Sequence, residues 1–549
     1  MQNPSLFSKF TCWRACLLAG LFFPGILPAQ PAEIKWLPPV RSSKDQHTLA
    51  LLRAGDDGFY LLRWQDSRTD AKGNRTPALP ILTALTPGGD RLHDAPLPGF
   101  AEGRMDFRFA LANDSVLLAV YEAPNSAGTQ TLFARRLNLA ARKWSAEPQV
   151  VFTDASGRAP AFATAWYSRS ADGSHYCLYR LSGGTAYRAA LAVLDRDFRT
   201  VWQRQAELPA PKGQMVLRQA LCTNSGAVLV HGQLFDTGSP GRPYEAPPAV
   251  SLPDGRPFSR QAEWTGAAPA ISNALFLLGS GNGDPTAFYP NTGKKYTPSF
   301  EIAEGPDSRL YAAGLSSNAN NEQAEAYFVY AIDPEKRTAS FLQNAALPGA
   351  VRKAYLSEKA AAKKEPVEGL ALRWLHWAAD GTPWMLAERQ YPDANPGRVE
   401  QAALLRLDSS YRIGAVRTIE KYQRLPAGTA QCFASVGPRP GPKSGWWLLW
   451  NEGSWPNAKI MLTECRSGGA PMHHVLDASS NSNVSLLPHT LQLFGNRWYF
   501  VGESEYRERV RVGILEGAEK ENGKRREVAG PAVCKNIRRS VFVCPNIHP

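Results

Sequence analysis

"FATAWYSRSADGSHYCLYRL" (residues 162–181), followed by "RAALAVLDRDFRTVWQRQAELP" (residues 188–209), is the stretch that decides the fold of this chain. Each segment contains two short runs of aromatic, branched and aliphatic side chains, a composition typical of β-strands. Asp172-Gly173 separates the first two runs, and Leu194-Asp195 separates the next two. An Asp-Gly pair favours a tight turn, because glycine adopts a positive φ at little cost. The stretch therefore predicts a unit of four antiparallel strands.

Hairpins of the same kind recur along the chain. Seven others begin at Thr48, Phe107, Met215, Ser299, Leu370, Cys432 and Thr490. The unit returns at roughly 50 to 80 residues, a spacing close to that of a propeller blade. One four-stranded sheet cannot bury both of its faces, whereas radial stacking covers each face with a neighbouring sheet.

The sequence thus predicts an all-β fold, a β-propeller of seven or eight four-stranded blades. The last hairpin and Arg509–Leu515 lack a fourth strand. We expect Glu33–Val40 to supply it, so that N- and C-terminal strands together close the ring. Two smaller β-sandwich domains are the alternative. The absence of a linker-like composition within the body of the chain favours the single ring.

The two ends of the chain differ in composition from its body. Lys9 and Arg14 precede an apolar run, and Leu27-Pro28-Ala29 offers a cleavage site, as in a secretory signal peptide. We predict a signal peptide over 1–29, one propeller domain over 30–516 and a mobile basic and polar tail over 517–549. The Pro- and Gly-rich stretch Asp236–Thr265 is interpreted as an insertion in the fourth unit. Ala354–Glu368 is the one segment with helix-forming composition, and we interpret it as a solvated helix or loop.

Composition narrows the choice of partners. The net charge is +13, and 44% of the residues are hydrophobic. The positive charge is dispersed, without the dense basic stripe and interleaved aromatics of nucleic-acid binding, so no nucleic acid is expected as a partner. Outside the signal segment no apolar run approaches the about 20 residues of a spanning helix. We therefore predict a secreted, periplasmic or cell-surface protein that does not span the membrane after signal cleavage.

Six of the eight cysteines lie outside the predicted signal peptide. Cys534 and Cys544 are close enough in sequence to close a small loop, and they are the disulfide candidates. The cysteines of the body lie in apolar, strand-like runs, where a buried free thiol is the common state.

Familiar catalytic signatures are missing from the sequence. It contains no HExxH, no GxSxG and no P-loop, and no cofactor is predicted. His473, His474 and His489 form the one histidine cluster, but no third metal ligand has a suitable spacing. We therefore predict no metal site and interpret these histidines as solvated loop residues.

Polar residues at the ends of apolar strands are the remaining candidates for a ligand site. They are Glu388, Gln390, Lys421, Gln423, Asn451 and Glu452. Strand ends in a propeller can face the central channel or its rims, where ligands commonly bind. The alternative is that these side chains hydrogen-bond between blades or are simply solvated.

Several segments, in this order, carry a resemblance to a family of exported bacterial proteins with propeller-like folds. They include "AADGTPWMLAERQY", "AALLRLDSSYRIGAVRTIEKYQ", "CFASV…GWWLLWNE" and "LLPHTLQLFGNRWYFVGESEYRERVRVGIL". The family pattern has an acid-Gln-Tyr segment, a strand ending near Lys-x-Gln and an apolar strand ending in Asn-Asp. The matching residues are Glu388, Lys421, Gln423 and Asn451, while Arg389 interrupts the first motif and Glu452 replaces the aspartate. The resemblance spans Phe162 to Leu515 and implies a propeller fold and export, but no particular activity.

Three functions remain open from the sequence. The first is a non-catalytic exported propeller that binds a protein or glycan partner at the cell envelope. The second is an enzyme acting on glycans or other polymers through carboxylates at the channel mouth, with Glu388 and Glu452 as candidates. The third is a structural subunit of an envelope complex that docks through the Cys534–Cys544 tail.

Overall fold

Four-stranded antiparallel sheets follow one another along the chain in the computed structural model. The structure describes residues 33–516 apart from 44, 56, 70–74, 77–78, 98–105, 125–129, 155–164, 183–185, 210–213, 236–269, 282, 320–322, 392–396, 426–434, 439–444, 455–457, 467–468, 478–483, 495–496 and 505–507. All of these residues belong to one compact unit, Pro31–Gly517. The predicted signal peptide, the tail with Cys534 and Cys544, and the predicted insertion Asp236–Thr265 lie outside the described residues.

The N-terminal strands β1 (Ile34–Trp36) and β2 (Val40–Arg41) precede the first sheet. Sheet 1 contains β3 (Gln46–Gly55), β4 (Gly58–Gln65), β7 (Leu79–Leu85) and β8 (Arg91–Pro96), with the small hairpin β5 (Arg68–Thr69) and β6 (Arg75–Thr76) after its second strand. Sheet 2 contains β9 (Asp106–Ala112), β10 (Val116–Pro124), β11 (Gln130–Asn138), β12 (Lys143–Trp144) and β13 (Gln149–Asp154). Sheet 3 contains β14 (Ala165–Arg169), β15 (His175–Ser182), β16 (Tyr187–Asp195) and β17 (Thr200–Leu208). Sheet 4 contains β18 (Gln214–Cys222), β19 (Val228–Phe235), β20 (Ala270–Leu278) and β21 (Thr286–Phe288).

The second half of the chain repeats this plan. Sheet 5 contains β22 (Tyr296–Glu304), β23 (Leu310–Ser317), β25 (Ala326–Asp333) and β26 (Thr338–Ala346), and β24 (Gln323–Ala324) pairs with β27 (Val367–Glu368) beside it. Sheet 6 contains β28 (Leu370–Trp377), β29 (Pro383–Tyr391), β30 (Gly397–Leu407) and β31 (Ile413–Leu425). Sheet 7 contains β32 (Ser435–Pro438), β33 (Gly445–Ser454), β34 (Lys459–Arg466) and β35 (Met472–Asp477). Sheet 8 contains β36 (Ser485–Phe494), β37 (Arg497–Glu503) and β38 (Arg509–Glu516), and its fourth strand is β1.

Eight buried apolar clusters hold the sheets together, one at each interface between successive sheets. Alternation along a strand sends neighbouring side chains to opposite interfaces. In β4, Leu61 packs toward sheet 8 and Leu62 toward sheet 2. In β10, Val120 packs toward sheet 3 and Tyr121 toward sheet 1. Each sheet therefore buries both faces against its neighbours, which a stand-alone sheet cannot do.

The ring closes where the two ends of the described chain meet. β1 pairs antiparallel with β38, with Ile34 opposite Leu515 and Trp36 opposite Gly513. Phe59 of sheet 1 packs on Tyr499 of sheet 8, with ring centroids 5.7 Å apart. The expectation of an all-β propeller closed by its terminal strands is thus confirmed, and the number of blades is eight.

First strands of neighbouring sheets lie against one another at the centre of the ring, for example β3 with β9 and β36, and β22 with β28. The connections from second to third strands and the crossovers between sheets gather at one end of the ring, which we call the crossover end. The tight turns gather at the other, the turn end. Gly173 adopts φ 71° and Gly381 φ 77° in two of these turns, as the Asp-Gly pairs predict.

Two short helices lie in the crossover between sheets 5 and 6, namely α1 (Gly349–Tyr355) and α2 (Glu358–Ala362). The sequence leaves Ala354–Glu368 open between a helix and a loop; the structure has α2 within this segment, and α1 begins before it. Val351 and Tyr355 of α1 are buried in the cluster between sheets 5 and 6. Packing against the sheets, rather than helix-forming composition, thus stabilises α1.

Candidate functional site

Sheet 6 brings four of the predicted site residues into one cluster at the crossover end. Glu388 lies near the end of β29, and Lys421 near the end of β31. Lys421 Nζ donates to Glu388 Oε1 at 2.6 Å, and neither side chain has exposed surface. Arg373 of β28 lies 3.7 Å from Glu388 Oε2 and donates to Gln390. The register aligns Gln390 and Gln423 through Val399, so both amides lie on the same face as the ion pair.

Sheet 7 divides the other two residues between different interfaces. Asn451 is buried and faces sheet 8, where its amide both donates to and accepts from the backbone of Leu486 at 2.9 Å. Glu452 is half-buried on the opposite face of β33, toward sheet 6. Five of the six predicted residues therefore lie at the interface between sheets 6 and 7. The sixth, Asn451, hydrogen-bonds sheet 7 to sheet 8.

A short parallel contact joins these two sheets, with Gln423 opposite Gly453. Trp450, next to Asn451 in the chain, donates from Nε1 to Thr463 Oγ1 at 3.0 Å. Thr463 in turn contacts His473 Nδ1 at 3.0 Å. His473 and His474 lie on the outer strand β35, so the interpretation as loop residues is wrong. Burial lowers the pKa of His473, and the charge of Glu452 opposes that shift.

Three arginines that the sequence analysis does not single out occupy equivalent places in sheets 2, 4 and 6. Arg108, Arg218 and Arg373 each lie on the first strand, at a position where the register with the second strand slips by one residue. Such a slip is a β-bulge, which re-aims a side chain and is frequent beside binding and active sites. Because first strands of neighbouring sheets meet at the centre of the ring, each of these bulges lies on the innermost strand of its sheet.

Each of these arginines is held by a residue near the end of the second strand. Arg108 Nε lies 2.6 Å from Glu122 Oε2, and Arg218 Nε donates to Gln233 Oε1 at 2.7 Å. Glu122 also pairs with Arg180 of sheet 3 at 2.9 Å. Glu388 is the corresponding partner in sheet 6. The predicted ligand-site residue Glu388 is thus one member of a repeated arrangement.

A short sequence pattern marks the positions of these three arginines. The first strands read "DFRFALA", "MVLRQALC" and "LALRWLHW", each with one arginine among mostly apolar residues. A charged residue is costly in a buried strand unless it is paired. Its recurrence at the same place in three units is therefore the signal of a shared role.

A cavity of about 90 Å³ lies beside sheets 8, 1, 2 and 3. Leucines and phenylalanines of β3 and β9 line most of it, and Arg108, Tyr167, Arg169 and Gln492 add polar atoms. Arg169 also lies over the ring of Tyr176, with its guanidinium carbon 5.8 Å from the centroid. The cavity thus combines apolar walls with a few polar side chains.

An aromatic group lies at the inner edge of sheet 6. Trp374 and His376 of β28 stack with centroids 5.1 Å apart, and Trp446 of sheet 7 meets Trp374 edge-on at 4.6 Å. Trp374 is half-buried and His376 is exposed. These rings follow directly after Arg373 on the strand that borders the channel.

Within the described ranges, no three His, Cys, Asp or Glu side chains are grouped so that they could hold a metal ion. In the same ranges, no helix is both long and apolar enough to cross a membrane. Cys177, Cys222 and Cys465 are buried free thiols, and burial raises the pKa of each.

Eight antiparallel sheets in a closed ring, most of them four-stranded, define this protein as a β-propeller. No protein-family model and no curated protein matches the chain. Among solved structures it is similar to an ulvan lyase, described as a new family of polysaccharide lyase, at 10% identity and a TM-score of 0.38, covering 75% of this chain and 91% of that one. It is also similar to prolyl oligopeptidase B from Galerina marginata at 11% identity and a TM-score of 0.37, covering 89% of this chain and 56% of that one. The β-propeller domain of the Trilobed protease from Pyrococcus furiosus gives 7% identity and a TM-score of 0.32, covering 78% of this chain and 94% of that domain. Likeness at this level carries no information on activity.

Proposed function

We propose that this chain is an exported, non-catalytic β-propeller that binds a protein or glycan partner in the periplasm or at the cell surface. The observation that supports it best is the state of Glu388. This carboxylate is entirely buried and paired with Lys421 at 2.6 Å. A carboxylate that hydrolyses a polymer must reach the scissile bond, so Glu388 acts within the fold rather than on a substrate.

The repeated arrangement supports the same conclusion. Glu122 is 3% exposed and lies between Arg108 and Arg180, as Glu388 lies between Arg373 and Lys421. Carboxylates held in this way fix the positions of the arginines and are themselves occupied by ion pairs. Their enclosure supports a structural rather than a catalytic role for both carboxylates.

Polymer cleavage by Glu388 and Glu452 is the competing function. Both residues lie toward the crossover end of adjacent sheets, and Glu452 is half-buried rather than enclosed. Glu452 is therefore the carboxylate on which this alternative depends.

A combined binding and turnover experiment separates the two functions. The chain after signal cleavage is titrated with a panel of bacterial polysaccharides and with an envelope extract, while reducing ends and polymer length are followed. We expect saturable binding with no change in the length of the polymer. Depolymerisation that disappears in Glu452→Gln and persists in Asp408→Asn, a matched change at an exposed turn, contradicts the proposal. So does the absence of any saturable ligand.

A further inference from the structure

The cavity of about 90 Å³ lies where the innermost strands depart from regular pairing. The register of β3 with β4 slips twice, which leaves Leu49 and Leu52 as the extra residues, and the register of β9 with β10 slips once, at Arg108. All three of these bulged residues line the cavity. β36 of sheet 8, which adds Leu491 and Gln492 to the lining, is also irregular. Bulges re-aim side chains and are frequent beside binding sites.

The walls of the cavity are mainly apolar. Leu49, Ala50 and Ala112 are only partly buried, so they present carbon surface to the open space. Leu493 and Phe494, which end β36 on the turn end, are 49% and 40% exposed. Exposed apolar side chains beside an apolar cavity are a feature of ligand-binding grooves.

The charge of the lining is positive. Its described residues include two arginines and no aspartate or glutamate. Arg108 is paired with Glu122 at 2.6 Å, so its charge is already balanced. Arg169, the last residue of β14, is exposed, and its guanidinium carbon lies 5.8 Å from the centroid of the Tyr176 ring. Gly173 leaves room for this guanidinium, because a Cβ at that position would overlap it.

Asp114 is the acidic residue of the neighbouring turn, and its charge acts on Tyr176 together with that of Arg169. Asp114 is exposed and does not line the cavity. The positive group at the turn end of the cavity is therefore Arg169.

The size and chemistry of the cavity narrow the choice of ligand. An apolar cavity of about 150 Å³ takes up benzene. This cavity, at about 90 Å³, has room for a shorter aliphatic chain. An arginine can bind a carboxylate through two parallel N–H donors. A molecule with an apolar chain and a terminal carboxylate therefore matches both the walls and the charged end.

We propose that this cavity binds a short aliphatic carboxylate, about four to six carbons long. The chain packs on Leu49, Ala50 and Ala112, and the carboxylate pairs with Arg169. The inference goes beyond the proposed function, because it assigns a small-molecule site and does not depend on which macromolecule the chain binds.

The test is a ligand-observed NMR titration of the chain after signal cleavage with hexanoate, hexanamide, acetate and hexylammonium. We expect saturable binding of hexanoate. Hexanamide keeps the chain without the charge, and its Kd should be about tenfold higher. Acetate keeps the charge without the chain and should bind more weakly than hexanoate, because it buries less apolar surface. Hexylammonium should not bind saturably, because Arg169 repels it.

Two variants separate the charged end from the walls. Arg169→Gln is expected to raise the Kd of hexanoate about tenfold, to that of hexanamide, with little change in the unfolding midpoint because Arg169 is exposed. Ala112→Leu fills part of the space and is expected to raise the Kd of hexanoate and hexanamide alike. Arg412→Gln is the matched control, because it removes a positive charge from another exposed turn, where Arg412 pairs with Asp408 at 3.0 Å. Its Kd is expected to equal that of the parent chain.

Contrary results are equally specific. Equal Kd values for hexanoate and hexanamide, or for the parent chain and Arg169→Gln, overturn the pairing of a carboxylate with Arg169. Unchanged hexanoate binding in Ala112→Leu overturns the assignment to this cavity. The absence of saturable hexanoate binding removes the inference altogether. It leaves the proposed function standing, because that function is tested separately with polysaccharides and an envelope extract.

Discussion

At the scale of single residues, the Lys421–Glu388 pair shows how a polar group can be kept inside a sheet interface. Two fully buried opposite charges 2.6 Å apart offset much of the cost of leaving water. Removal of one partner leaves the other charge buried without its strongest neighbour. The contribution of this pair to the fold can therefore be measured as a change in the free energy of unfolding.

We predict that Lys421→Met lowers the free energy of unfolding by about 3–5 kcal/mol. The double variant Lys421→Met with Glu388→Gln is expected to recover at least half of the lost stability. It removes the Glu388 carboxylate, which would otherwise stay buried without a partner. Denaturant unfolding of both variants measures the difference. Arg412→Gln, in an exposed pair, is the control with little expected change. A Lys421→Met chain as stable as the parent would show that the pair is not needed.

His231 provides a pH dependence at the same scale. It is buried in sheet 4, stacks on Phe300 at 4.4 Å and contacts Asn273 Oδ1 through Nε2 at 2.8 Å. Burial lowers the pKa of His231 from 6.5 to about 4, and the nearby charge of Arg218 acts in the same direction. Between those two values the unfolded chain binds more protons than the folded chain, so stability falls as the pH falls.

We predict that this one group removes on the order of 3 kcal/mol of stability between pH 6.5 and about 4. Urea unfolding over a pH series measures it. His231→Gln keeps a hydrogen-bonding side chain without titrating in this range, and its stability should fall less steeply over the same interval. Identical slopes for the two chains would contradict the account.

Residue-scale features were predictable only in part. The sequence placed Glu388, Lys421, Gln423 and Asn451 correctly on strand ends, because polar residues after apolar runs are easily recognised. It did not show that Glu388 meets Lys421, since their contact depends on the alignment of three strands and on a bulge between them. The bulge at Arg218 is not visible in the sequence for the same reason, because a bulge is a property of register.

At the scale of elements, the strand β1 is the one on which closure of the ring depends. Trp36 donates from Nε1 to Asp477 of sheet 7 at 2.6 Å and meets Phe500 of sheet 8 edge-on at 5.6 Å. Gly502 and Gly513 leave room for that indole, because a Cβ on either would lie 2.8 Å or 3.1 Å from the Trp36 ring. β1 thus covers the outer edge of sheet 8 and ties two sheets together.

We predict that a chain beginning at Ser42, which lacks β1 and β2, loses about 3 kcal/mol or more of stability. It should also self-associate, because the edge of β38 is left unpaired. Thermal unfolding and light scattering measure the two effects. A chain beginning at Glu33 keeps both strands and is the control. Equal stability and a monomeric state in both chains would show that β1 is dispensable.

Elements were the most predictable level of the structure. Each hairpin found in the sequence corresponds to the first two strands of a sheet, because alternation and turn residues are local signals. The closing strand was also anticipated, from a sheet left one strand short. The early start of α1 was missed because Val351 and Tyr355 are helical through burial between sheets rather than through propensity.

At the scale of the whole molecule, the chain forms one closed ring rather than two sandwiches. Every sheet shares an apolar cluster with the sheet before it and the sheet after it, including sheets 8 and 1. Closure is what brings the first strands of the sheets to a common centre. Separate sandwiches would have no such centre.

The pairing of the first and last described strands tests the ring most directly. Ile34 lies opposite Leu515, and the two residues share one apolar cluster. In a chain carrying Ile34→Cys and Leu515→Cys, oxidation followed by mass spectrometry should identify a disulfide between these two positions within single molecules. Ile34→Cys combined with Thr338→Cys, on the outer strand of sheet 5, should give none. Failure to form the first link, or its formation only between two chains, would contradict a ring closed by its own ends.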